Sequence, residues 1–245
     1  MIHYIKADFY RIFKRIPRYI ILVLLFAAAA AAMLSVADGS TPYQILDLLT
    51  KYAAFICAVF AIVEYIYVYN DDFKAKTLQI AIGRGITRSG VILTKWIETT
   101  ILCVMDFLIL MAIILICSAI RGAVFGGEAA ADVIIIMLTS LMKSVTAVGF
   151  TMIFTFLSQN ATLGTLVFIL AITGIGEMII SALISIGVLD KLHLSTYLVN
   201  ALIDTFKTRA IIGTFSIPHF IGIIAYNVAF FFITKLMFKW RELDF

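Results

Sequence analysis

The sequence predicts an all-α, polytopic membrane protein, and three observations carry that prediction. Of the 245 residues, 63% are hydrophobic and only 14% are charged, with a mean hydropathy of +1.08. A soluble domain runs nearer about 45–50% apolar and about 25% charged. The apolar residues fall in runs of roughly 18 or more, the length that lets a helix cross about 30 Å of hydrocarbon. The charges gather between those runs, with Lys and Arg concentrated on alternate connections. Helices rather than strands follow because a lipid-exposed backbone must satisfy its own hydrogen bonds.

The chain opens with IHYIKADFYRIFKRIPR. Ile2, Ile5, Phe9, Ile12, Phe13 and Ile16 recur at three- and four-residue spacing, and Lys6, Asp8, Arg11, Lys14 and Arg15 occupy the rest. This predicts an amphipathic helix over 1–18 lying in the membrane interface, with Pro17 breaking it before the first span. An ordinary basic juxtamembrane anchor is a compatible reading. Six spans follow: Tyr19–Ala37, Tyr52–Tyr69, Trp96–Ile120, Val133–Leu157, Leu163–Leu189 and Ile217–Phe238. The first of these, followed by SVADGS, has the outline of a secretory signal. Its apolar run exceeds the usual signal core of about 7–15 residues, so it is expected to remain as a span.

Orientation follows from the cations. The N-terminal segment holds Lys6, Arg11, Lys14, Arg15 and Arg18. The second–third connection holds Lys74, Lys76, Arg84, Arg88 and Lys95, and the C-terminal end Lys235, Lys239 and Arg241. The opposite side has Lys51, Arg121, Lys191, Lys207 and Arg209, and Lys143 falls within a span. Both termini are therefore expected in the cytoplasm of a multi-pass cell-membrane protein. The net charge of +4 reflects this bias and carries no case for nucleic acid.

Motifs for chemistry are absent from the sequence. No G-x-x-x-x-G-K-[ST] phosphate loop, H-E-x-x-H or G-x-S-x-G occurs. No catalytic residue and no metal site is expected. His3, His193 and His219 are far apart, and Cys57, Cys103 and Cys117 lie in apolar runs without metal or disulfide spacing. Asn160 begins a glycosylation triplet, but in a short loop expected on the cytoplasmic side.

The connection YNDDFKAKTLQIAIGRGITR, Tyr69–Arg88, is the most informative segment. Asn70 and Asp71 suit a helix N-cap, Asp72 suits a helix N-terminus, and Gly83 suits a stop. Phe73, Thr77, Ile80 and Ala81 would share one face, with Leu78 and Ile82 at its edge and Asp72, Lys76 and Gln79 opposite. A short amphipathic helix over Asp72–Ile82 is predicted, offered either to lipid headgroups or to a cytoplasmic partner.

Together with YIKADFYRIFKR at the start and FKWRELDF at the end, the block DDFKAKTLQIAIGRGITRSGVILTKW resembles the membrane subunit of type-2 ABC exporters. Within that class it is similar to bacterial exporters of peptides (bacteriocins or phenol-soluble-modulin-like toxins) or drugs. The resemblance runs over the whole chain, so that 1–245 reads as one permease domain, and it rests on the order of degenerate motifs. It implies that 70–88 is the coupling-helix loop, in which Asp72, Phe73, Lys76, Thr77, Ile80, Ala81, Arg84 and Arg88 meet the ATPase. It implies two copies of a cytoplasmic ATPase carrying ATP and Mg, a second permease copy, and no cofactor on this chain. It also implies a broken fifth span with a re-entrant outer part, for which Gly174 and Gly176 provide a break.

Charged residues inside the spans complete the list. Asp106 and Lys143 lie about ten residues into antiparallel spans, roughly 15 Å deep. An unpaired charge there costs at least about 2.5–3.5 kcal/mol, so the two are expected to pair or to share a polar cavity. Glu177 lies beside the glycines, and Glu64 and Glu98 lie nearer the cytoplasmic ends, expected to meet headgroups or each other. These charges could lock helix packing, contact substrate or gate, or snorkel. The function expected is export of amphipathic or hydrophobic peptides, with small-molecule drugs or antibiotics as the alternative. An ATPase-independent secondary transporter or channel stands beside both, with Asp106, Lys143 and Glu177 as ion sites.

Overall fold

In a computed structural model, the structure describes residues 2–35, 41–74, 77–122, 126–185 and 194–240. Among these are ten α-helices, a short 3-10 turn at Leu194–Tyr197, and no strand. Five helices are long and apolar enough to cross a membrane: α2 (Ile16–Leu34), α3 (Pro42–Lys74), α5 (Arg88–Ile120), α6 (Gly127–Ser158) and α10 (Ile217–Trp240). A bent pair, α7 (Ala161–Thr173) and α8 (Ile175–Ser185), makes a sixth if counted as one span. The remaining helices are α1 (Ile2–Phe13), α4 (Thr77–Gly83) and α9 (Val199–Ile211).

The bend falls where glycine permits it. Gly174 closes α7 in the left-handed region, at φ 77°, and α8 leaves at 66° to α7. The break expected in the fifth span is therefore present. Asn160, read in the sequence as a discounted glycosylation site, is the N-cap of α7. Its side chain accepts from the backbone N–H groups of Thr162 and Leu163.

Three boundaries differ from the sequence expectation. The turn between α1 and α2 falls at Lys14–Arg15, and Pro17 sits in the first turn of α2, where its missing N–H has no helical partner to lose. The helices α3 and α5 each have 33 residues, about 50 Å at helical rise. They extend past the apolar centres 52–69 and 96–120 that hydropathy marks, because helix-competent polar residues at 70–74 and 88–95 continue the hydrogen-bonded turns. Third, Asn70, Asp71 and Asp72 do not cap a new helix; they belong to the last turns of α3.

The short helix α4 starts at Thr77 and ends differently from expectation. Gly83 is still helical, and Gly85, at φ 90°, takes the left-handed position. The Gly85 N–H donates to the Ile82 carbonyl and the Ile86 N–H to that of Ala81, the paired bonds of a Schellman stop.

At the centre, α6 packs against α3, α5, α7, α9 and α10. The tightest approach is at Gly164 of α7, where a Cβ would collide with the Tyr65 hydroxyl and the Thr155 side chain, which hydrogen-bond each other. The outer helices α2 and α10 leave apolar side chains such as Leu24, Ile221, Phe232 and Leu236 exposed, a surface suited to lipid.

Candidate functional site

Polar groups in this bundle collect in three places. At the end where α1, α4 and the C-terminal end of α10 meet, Lys95 of α5 is fully buried. It forms salt bridges with Asp8 of α1, Asp72 of α3 and, at 3.1 Å, Glu98 one turn along its own helix. Arg11 of α1 joins the cluster, bridging Asp8 at 3.1 Å and Asp72. The Tyr4 ring lies 5.5 Å from the Lys95 ammonium. Asp72 ends a helix, where the dipole disfavours an acid, and the two cations supply the compensation. Burial pushes its carboxyl upward, but Lys95 and Arg11 outweigh that and hold it below the usual aspartate range. Burial raises the Tyr4 phenol, with Lys95 pulling the other way.

This cluster fastens α1 to α3 and α5. Ile12 and Phe9 add the apolar part of the seat by packing on the main core. Beside it, Arg88 donates to the carbonyls of Phe238 at 2.6 Å and Lys239 at 3.1 Å, capping the end of α10.

The residues expected to form a docking ridge divide. Asp72 is consumed by the cluster, and Phe73 is half-buried with its ring edge-on to Phe156, 5.5 Å away. Leu78 and Ala81 face the core. Ile80, 53% exposed, and Arg84 remain outward. Lys76 and the Thr77 side chain lie outside the described residues.

Deeper in the bundle, Arg18 of α2 forms a bidentate pair with Glu64 of α3. Its Nε is 3.0 Å from both carboxylate oxygens, and a terminal nitrogen is 2.8 Å from one. Asp106 of α5 faces this pair, with Oδ2 lacking a hydrogen-bond partner. The expected pairing of Asp106 with Lys143 is corrected here, since depth along two helices does not fix which way each side chain turns. Glu64 and Glu98 are likewise corrected: both are fully buried against cations rather than at headgroups or each other.

Lys143 instead lines a cavity of about 420 Å³ between α6, α7, α8, α9 and α10. Glu177 of α8 lines it too, and its carboxylate accepts from the Asn200 N–H in the first turn of α9, at 3.0 and 3.2 Å. The walls are mostly apolar, with Phe150, Phe154, Tyr226 and Phe230 among them. No three His, Cys, Asp or Glu side chains among the described residues gather as a metal site. The three cysteines are buried and free.

The sequence missed Asp8, Arg11, Arg18 and Lys95 as site residues. A signal for Asp8 existed: it lies three residues after Ile5 and four before Ile12, on the apolar stripe. Lys95 and Arg18 carried none, because cations at a span end read as orientation signals.

The apolar helices and their buried ion pairs define a multi-pass membrane protein. No protein-family model matches the chain, and no curated protein matches it.

Proposed function

We propose that this chain is the membrane-spanning subunit of an ATP-driven exporter of the type-2 ABC class. The observation that carries the reading is the placement of α4. It sits between the projecting ends of α3 and α5, with Ile80 and Arg84 outward, beside the salt-bridge cluster joining those helices to α1. A movement imposed on α4 would pass to α3 and α5 through packed Leu78 and Ala81. Asp72 and Lys95 make the two helices move as one, and Asp8 carries α1 with them.

In this reading the chain carries no ATPase. Two copies of a cytoplasmic partner bind ATP and Mg, and two copies of the chain enclose the transport path in a bacterial cell membrane. Both termini lie on the cytoplasmic side, and closure of the ATPase pair alternates access. The cargo is an amphipathic or hydrophobic peptide of toxin or bacteriocin type, with small drugs or antibiotics next. A second reading, an ATPase-independent transporter or channel, draws on the interior pair of carboxylates, Glu64 and Asp106, served by a single Arg18.

Purification of the tagged chain from its native membrane separates the two. The exporter reading expects ATP hydrolysis to co-purify in a two-plus-two complex, and Ile80→Asp to abolish it while the helical content and size of the permease stay unchanged. Ile80 is the right probe because it is exposed, whereas Phe73→Asp would also damage packing against Phe156. Transport persisting in vesicles without any ATPase would overturn the exporter reading.

A further inference from the structure

The cavity between α6, α8 and α10 has a composition that neither the fold nor the exporter reading uses. Lys143 and Glu177 both line it, yet among the described residues no carboxylate oxygen lies within 4.0 Å of the Lys143 ammonium. Lys143 is half-buried, whereas the fully buried cations of the described spans, Arg18 and Lys95, are each in direct contact with a carboxylate. Glu177 receives the Asn200 backbone N–H and side-chain amide and feels the Lys143 charge from across the cavity, so its hydrogen bonds come from one residue and acceptor capacity remains. The rest of the wall is apolar: the rings of Phe150 and Phe230 meet edge to face at 5.5 Å, and Leu170 and Ile180 extend the lining.

An apolar cavity with a few convergent polar groups is the usual form of a small-molecule site, and about 420 Å³ falls in the usual range of about 300–1,000 Å³. The separated charges decide the class of ligand. A purely anionic amphiphile would meet Glu177, and a purely cationic one would meet Lys143; either leaves a like charge facing it across a mostly apolar wall. A head group carrying both signs places its anion on Lys143 and its ammonium on Glu177. The aromatic walls add attraction for the ammonium, and the alkyl chain lies on Leu170 and Ile180.

We propose that this cavity binds a single-chain zwitterionic amphiphile, oriented by Lys143 and Glu177. The site belongs to one copy of the chain and does not depend on an ATPase partner. Binding would bridge α6 to α8, the bent half-span that packs on α7 and the 3-10 turn. The ligand would therefore fix the angle of α8.

The test uses the purified full-length chain in maltoside micelles and a lysophosphocholine with a photoreactive diazirine in its acyl chain. Labelling is expected on α6, α7, α8 and α10, displaced by unlabelled lysophosphocholine at concentrations at least tenfold below those needed for palmitate or an alkyltrimethylammonium. Lys143→Gln and Glu177→Gln should each weaken labelling about tenfold, while the distant, exposed Lys51→Gln leaves it unchanged. The exchange Lys143→Glu with Glu177→Lys should restore labelling, which a merely misfolded single variant would not. Equal competition by palmitate or by the alkylammonium, labelling confined to other helices, or labelling indifferent to both Gln variants would overturn the proposal. The exporter reading can fail on co-purification while this labelling holds, and the reverse.

Discussion

Two regions of the bundle handle charge in opposite ways: one buries it, the other leaves it half-exposed. Under α1, Lys95 touches three carboxylates, and Arg11 touches two of the same three. Around the α6–α8 cavity, Lys143 and Glu177 share a wall without touching. The first arrangement satisfies its charges internally and ties three helices into one body. The second holds its charges apart on a cavity wall, with Glu177 bonded by Asn200 and no ion pair to Lys143, next to a helix that bends on a glycine and has few partners. Charge removed from water is expensive unless paired, so the difference separates a lock from an opening.

The largest effect is expected at the lock. Lys95→Met leaves Asp8, Asp72 and Glu98 buried together and should cost about 3–5 kcal/mol. Denaturant titration of the purified protein in detergent would read this, and α1 should become protease-sensitive. If Lys95→Met is neutral, the lock is not a lock. Next is Gly164→Val, which drives a side chain into Tyr65 and Thr155; overpacking of this kind costs about 1–3 kcal/mol, read by the same titration.

A smaller effect sharpens the electrostatic side of the lock. Asp72 is held below its ordinary value, so its contribution is fully present above the unfolded value of about 3.9 and is lost as pH falls through the native one. Acidification below about pH 4 should therefore release α1 before the spans unfold, seen as labelling of a cysteine placed at Ile12. Asp72→Asn should abolish that acid step. At the open end, Lys143→Gln should change stability by less than about 1 kcal/mol, because no direct ion pair is broken. A loss as large as that of Lys95→Met would show that Lys143 is locked after all. The exposed Asp47–Lys51 pair, 2.6 Å apart, sets the floor: Lys51→Gln should leave the titration midpoint unchanged.

Hydropathy revealed the helices well and their interior contacts poorly. The apolar runs located every span, and Gly174 located the bend, because both signals are local in the chain. The residue contacts were not local. Lys95 looked like a loop cation because the helix continues seven residues before it, to Arg88, a continuation that hydropathy does not mark. Asp106 and Lys143 matched in depth, but the rotation of α5 and α6 gives Asp106 to Arg18 and Glu64, and Lys143 to the cavity. The expected docking helix exists as α4, yet its ridge is reduced to Ile80 because Leu78 and Ala81 turn inward. Phe73, expected on that ridge, belongs to α3.

Backbone hydrogen exchange on the purified chain, with and without lysophosphocholine, tests the contrast between the two ends most directly. The helix α1 is expected to exchange slowly in both conditions. Residues 175–185 of α8 should exchange rapidly without the amphiphile and at least tenfold more slowly with it. Protection that appears in α1, or an α8 already as protected as α1 and unmoved by the amphiphile, would contradict it.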